Sequence, residues 1–181
     1  MRDLSMHVLD IAQNSIKAEA SLVTMTFTVT ADRWMTFTIH DDGCGMSQAF
    51  LQKVTDPFTT TRTTRRVGLG IPMLQQSAEL CGGELAIRSE VGKGTMLEAT
   101  FDLKHIDCPP LGEMCDTLLT LVMLNPNVPD FVFEATTPLL SASFDTREIR
   151  EALGGLPLNT PDIVAWMKEA IDEEFKPILE G

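Results

Sequence analysis

The run Asp41-Asp42-Gly43-Cys44-Gly45 follows directly on Met35, Phe37 and Ile39, which alternate with polar residues. Alternation of period two reads as a half-buried strand. The chain therefore leaves that strand through a turn with two glycines spaced by one residue. Such a turn lets backbone approach a flat ring, and an acid at the strand end can accept a hydrogen bond from an exocyclic amine. Turns of this composition are common, so the run gains meaning from what stands around it.

Upstream, residues 4–20 place Met6, Leu9 and Ile16 at helical spacing and lead into a β-branched run, 23–29. Asp32 and Arg33 turn the chain into the alternating strand. Ser47 is placed to cap a short helix through Val54. Residues 55–67 hold six threonines and three arginines; too polar to pack, they are expected to form a mobile loop. Helical spacing returns over 69–80, Gly82-Gly83 stops it, and 84–89 and 95–103 read as strands joined by Glu90-Val91-Gly92-Lys93-Gly94. That order predicts helices over one face of a sheet, an α+β two-layer sandwich ending near Lys104.

Pro109-Pro110 marks a boundary. Beyond it, 111–124 reads as a helix and 131–136 with 139–144 as a hairpin through Thr137-Pro138. Asp145 and Glu148 have capping-box spacing, and Thr160-Pro161 opens the last helix. Residues 1–104 are thus expected as one domain and 105–181 as a small C-terminal α+β appendage. Charge divides the same way: residues 1–104 carry 10 Lys/Arg against 12 Asp/Glu, net −2, and residues 105–181 carry 4 against 14, net −10. An acidic second half repels nucleic-acid backbones and offers a face to a basic or polar protein. Direct nucleic-acid binding is not expected.

With 44% hydrophobic and 22% charged residues, the 181-residue chain has the composition of a packed soluble protein. Its apolar runs fall short of the roughly 20 residues that span a bilayer, and no signal peptide is expected to open at Met1-Arg2-Asp3. A cytoplasmic location without membrane insertion is expected. Cys44, Cys81, Cys108 and Cys115 show no paired spacing and read as free thiols; His105, Cys108 and Cys115 read as linker residues rather than a metal site.

Three further elements carry chemistry. Asp10 and Asn14 stand four residues apart on one helix face, so that a carboxylate and an amide carbonyl can point at one phosphate group. Gly68-Leu69-Gly70 opens a helix after the threonine-rich loop, where free N–H groups and the helix dipole favour phosphate. Gly92-Lys93-Gly94-Thr95 joins two strands and brings a hydroxyl that could meet a ring. His7, one turn before Asp10, reads as a core-edge or surface histidine rather than a phosphoacceptor, and His40 as a packing residue.

In this order and spacing the elements resemble the GHKL ATPase superfamily of gyrases, chaperones, histidine kinases and MutL-type proteins, over about residues 4–103. Asp10 to Asn14 is similar to its N box and Asp41 to Gly45 to its G1 box. Asp56-Pro57-Phe58-Thr59-Thr60-Thr61 resembles the F box and ATP lid of histidine kinases. Gly68-Leu69-Gly70 resembles the G2 box, and Gly92 to Thr95 the terminal glycine and threonine motif. The resemblance implies the Bergerat ATP-binding fold with ATP and Mg²⁺ as ligands. It implies Asn14 on Mg²⁺, Asp41 on the adenine amine, Gly45 under the ring, Gly68 and Gly70 on the phosphates, Thr95 toward the adenine and Lys17 on phosphate. Gly43, Met46, Phe58, Thr61, Arg62 and Leu69 fall within the same nucleotide-contacting set. Asp10 stands where hydrolytic members carry Glu and histidine kinases often carry Asn; it can act as a base with a reach one methylene shorter.

The function expected from this resemblance is a trans-acting protein kinase or signalling regulator that passes the γ-phosphate to a protein partner. With the N box beginning ten residues from Met1, no preceding phosphoacceptor domain is expected. The alternative is an ATP-dependent switch, or slow ATPase, that acts through nucleotide-gated protein contacts.

Overall fold

The computed structural model describes residues 3–56 and 69–180. The alternating runs pair as a hairpin: β1 (Leu22–Val29) and β2 (Trp34–Asp41) are antiparallel, with Val23 opposite Asp41 and Val29 opposite Met35. Period two sends Val23, Met25, Phe27, Val29, Met35, Phe37 and Ile39 to one buried face. Thr26, Thr28, Thr36 and Thr38 take the other, more exposed face. His40 lies on that exposed face too and packs in no core, contrary to its expected role.

β3 (Leu85–Glu90) pairs antiparallel with β4 (Gly94–Asp102), and β4 pairs with β2 in a register that sets Thr95 opposite Asp41. Beyond residue 104 the same sheet continues. β5 (Asp130–Thr136) lies parallel to β1, with Phe131 beside Val23, and β6 (Ser141–Asp145) closes the order β3-β4-β2-β1-β5-β6. A parallel neighbour needs a crossover. That crossover carries α4 (Met114–Leu124).

The other helices are α1 (Leu4–Lys17), α2 (Gln48–Val54), α3 (Gly70–Leu80), α5 (Thr146–Leu153) and α6 (Pro161–Leu179). α1 packs on both α3 and α4, and α6 packs on α4 and on β5 and β6. One continuous core runs from Leu4, Val8 and Ile11 through Phe27, Phe37 and Phe131 to Met167 and Phe175. The result is a mixed α/β sandwich in which the acidic C-terminal segment shares sheet and core with the first hundred residues.

Local chemistry fixes the element ends. Asp3 caps α1, accepting the Ser5 hydroxyl at 2.7 Å and the Met6 N–H at 2.9 Å. The Ser5 bond, against partial burial, holds the Asp3 carboxyl below its usual pKa. The N–H groups of Leu4 and Ser5 donate to the carbonyls of Pro110 and Leu111 at 2.9 and 3.0 Å. The proline stretch thus satisfies two donors that a helix start leaves open. Ser47 caps α2 through the Phe50 N–H at 3.2 Å, and Asp145 caps α5 through the Arg147 N–H at 2.9 Å. Pro161 opens α6, while the Thr160 hydroxyl donates to the Pro157 carbonyl at 2.7 Å instead of capping the helix.

Candidate functional site

Between α1 and the adjoining ends of β2 and β4 lies a cavity of about 550 Å³, within the range of small-ligand sites. Ile11, Asn14 and Ser15 of α1 and its C-cap Ala18 reach it because spacings of three, four and seven share one helix face. The exposed Lys17 lines it as well. Ile39 and Leu97, opposite each other in the β2–β4 ladder, form apolar wall with Met46, Phe50 and Ile71. Such walls suit a flat ring.

Asp41 is buried at the end of β2. Its Oδ2 accepts the Ser15 hydroxyl at 2.6 Å and its Oδ1 the Gly43 N–H at 2.9 Å. One donor on each oxygen orients the carboxylate and leaves acceptor capacity for a ligand. Across the ladder, the Thr95 hydroxyl lies 2.8 Å from the Ser89 hydroxyl, which also accepts the Met46 N–H at 2.8 Å. Ser89 therefore ties the threonine on β4 to the backbone of the glycine turn.

That turn is strapped down on every side. The Cys44 N–H donates to the Ala18 carbonyl at 2.9 Å, and the Cys44 carbonyl accepts the Gly92 N–H at 2.8 Å. Asp42 accepts the N–H groups of Ser21 and Leu22 at 2.7 and 3.0 Å, and the Ser21 hydroxyl in a short bond. Burial pushes the Asp42 carboxyl up, but these bonds outweigh it and hold the pKa below the usual range. Gly45 has φ +69°, and a Cβ there would fall 2.0 Å from the Glu90 carbonyl oxygen. Gly94 has φ +120°, and a Cβ there would fall 1.9 Å from the Asp41 carbonyl oxygen. Only glycine fits either approach.

On the opposite side, a Cβ at Gly70 would meet the Asp10 Cβ at 3.4 Å, so Asp10 abuts the start of α3. The α3 N-cap, Leu69, supplies no side-chain acceptor and is 53% exposed. A helix start of this kind favours an anion.

Of the residues expected to contact nucleotide, Asn14, Lys17, Asp41, Gly45, Met46 and Thr95 all line the cavity. Gly43 serves through its N–H on Asp41, and Leu69 and Gly70 form the α3 start beside Asp10. Phe58, Thr61, Arg62 and Gly68 lie outside the described residues, as does most of the expected mobile loop. Sequence reasoning missed Ser15, Phe50, Ile71 and Ser89. Ser15 shares the helix face of Ile11 and Ala18, a signal that was available; nothing local marked Ser89, whose partners are set by strand register.

His7 is buried, with Nε2 3.0 Å from the Ser77 hydroxyl, and so joins α1 to α3. All four cysteines are free thiols. Burial pushes Cys108 and Cys115 up to about 12 and also raises Cys81. Cys44 is exposed and lines the cavity. Among the described residues no group of three or more His, Cys, Asp and Glu side chains could hold a metal ion, and no helix is long and apolar enough to cross a membrane.

Residues 2–105 match the family described as histidine kinase-, DNA gyrase B-, and HSP90-like ATPase. Among similar proteins, Sporulation kinase C of Bacillus subtilis (strain 168) is 33% identical over 98 residues, covering 53% of this chain and 22% of that protein. Signal transduction histidine-protein kinase AtoS of Escherichia coli (strain K12) is 28% identical over 103 residues, covering 57% of this chain and 16% of that protein. The chain thus spans less than a quarter of either kinase. A crystal structure of the N-terminal domain of a DNA repair protein superposes with a TM-score of 0.52 at 15% identity, covering 80% of this chain and 52% of that one. At that identity it shows a common fold alone, and its coverage extends beyond the segment matched by the family.

Proposed function

The chain belongs to the histidine kinase-, DNA gyrase B- and HSP90-like ATPase family, and we propose that it binds ATP with Mg²⁺ and passes the γ-phosphate to a protein partner in trans. Family membership supports the ATP binding. One observation carries the rest: a single cavity brings Asp41 and Thr95 together with Asn14 and Lys17. The first pair suits the base and the second suits phosphates.

In this reading the adenine lies against Ile39, Met46 and Leu97, its amine donating to Asp41, while Gly45 leaves room for the ring. Lys17 and the N–H groups at the start of α3 bind phosphate oxygens. Asn14 offers one amide oxygen, a donor suited to Mg²⁺, which usually takes its remaining oxygens from phosphates and water. The bound ion would supply charge neutralisation on the phosphates. A hydroxyl or imidazole of the partner attacks the γ-phosphorus, the bond from that phosphorus to the β,γ-bridging oxygen breaks, and ADP leaves. Asp10, beside the α3 start, takes the acceptor's proton.

Residues 1–104 make the nucleotide site, and the acidic residues 105–181, sharing its sheet, present the partner surface. A cytoplasmic location belongs to the same proposal. The relatives named above are kinases, which supports phosphotransfer over simple hydrolysis. The test is incubation with γ-labelled ATP and the proteins encoded beside this chain. Label on a protein is expected; label appearing only as free phosphate would make the protein an ATP-driven switch instead.

A further inference from the structure

We infer that Ser15 is a positioning residue that sets base selectivity, by holding the Asp41 carboxylate so that the cavity favours a purine bearing an exocyclic amine. The inference rests on the nucleotide-binding reading above and adds to it a residue with no part in that reading.

Ser15 sits in the interior of α1 and is 3% exposed. A serine in mid-helix commonly donates back to the carbonyl four residues earlier. Here the hydroxyl reaches instead across 26 residues of sequence to Asp41 Oδ2, at 2.6 Å. A hydroxyl has one proton and an ionised carboxylate only accepts, so that proton is committed to Asp41. What remains on the Ser15 oxygen is acceptor capacity, and Ser15 lines the cavity.

The Gly43 N–H occupies the other carboxylate oxygen at 2.9 Å. With a donor on each oxygen, rotation about the Cβ–Cγ bond of Asp41 is blocked. Ser15 and Asp41 then offer the cavity acceptors alone. An exocyclic amine finds partners there, whereas an exocyclic oxygen meets like partial charge, and a bare ring edge leaves buried acceptors unpaired. Sites built to hydrogen-bond a ligand group reject analogues lacking it for that reason. Removing the Ser15 hydroxyl leaves one carboxylate oxygen without its donor and frees the group to rotate, so the ligand amine no longer finds a fixed acceptor.

The probes are ATP and purine riboside triphosphate, which differ by the 6-amino group alone, titrated into the full chain and its variants. The wild type should bind ATP more tightly. Ser15→Ala should shrink that preference about tenfold, chiefly by weakening ATP, in keeping with loss of a hydrogen bond to a charged group. Ser15→Thr, which keeps the hydroxyl, should retain the preference. Ser15→Cys, close in shape but a poor donor, should lose it, and it serves should the alanine variant fail to fold. Equal weakening of both ligands, or an unchanged preference, would reduce Ser15 to a packing residue while leaving the nucleotide site intact. Failure of the wild type to bind either triphosphate would overturn the nucleotide reading itself.

Discussion

Gly45 lies so close to Glu90 that a Cβ on the glycine would stand 2.0 Å from the glutamate's carbonyl oxygen. The glycine turn after β2 and the loop joining β3 to β4 are therefore in backbone contact. Nothing larger than hydrogen can occupy this position without moving one of them.

Gly45→Ala should destabilise the fold and disrupt the cavity together. The left-handed backbone alone costs a non-glycine residue about 1–2 kcal/mol, and displacement of the turn adds to it. Gly92 provides the control, since its φ is also positive, +78°, but nothing lies within 4 Å of its Cβ position. Denaturant unfolding should show a loss of about 1 kcal/mol for Gly92→Ala, with stabilisation by ATP preserved. Gly45→Ala should lose more and gain nothing from ATP. Equal behaviour of the two variants would remove the close approach from the account.

The Asp42 bonds to Ser21 and Leu22 predict a pH dependence. Because the folded carboxyl titrates below its usual 3.8, its contribution to stability is present above that value. It is lost as pH falls through the lower, folded value. Asp42→Asn should thus be less stable than the wild type at neutral pH, and the difference should narrow below about pH 4. A difference that persists unchanged in acid would mean that the charge on Asp42 contributes nothing.

Cys44 should be the thiol that iodoacetamide labels first, being exposed at the cavity while the other three titrate above their usual range. Saturating ATP should slow the labelling. Mass spectrometry that finds Cys81 or Cys115 modified ahead of Cys44 would contradict the packing described here.

Much of this fold was legible because its signals are local. The alternation of Met35, Phe37 and Ile39, the Ser47 and Asp145 caps, and Pro161 at a helix start each act within a few residues. The pairing of β1 with β5 was not legible, because Val23 and Phe131 meet across more than a hundred residues and no local pattern specifies a parallel neighbour. The site divides in the same way. Asn14, Asp41 and Thr95 announced themselves through spacing and turn composition, whereas Ser89 acquires its role from register alone. His40 was misjudged because strand alternation places it one residue from a buried carboxylate yet on the opposite face.

Asn14→Ala should abolish Mg²⁺-dependent turnover while leaving metal-free nucleotide binding largely intact, since its amide oxygen is proposed as a metal donor. Asp10→Asn should lower turnover with little change in ATP affinity. Single-turnover assays beside equilibrium binding would separate these effects. Parallel loss of binding and turnover in the Asn14 variant would make that residue structural, and undiminished turnover in the Asp10 variant would exclude it as the base.

Calorimetric titration of Mg²⁺-ATP into the wild type and Asp41→Asn decides whether the nucleotide base sits in this cavity. The buried carboxylate, held by Ser15 and Gly43, is proposed as the acceptor for the adenine amine. Its replacement by a weaker, partly mispaired amide should cost about 1.5–3 kcal/mol, or about tenfold to a hundredfold in affinity. Saturable binding by the wild type and that loss in the variant are the expected results. Equal affinity of the two proteins would place ATP somewhere other than this cavity.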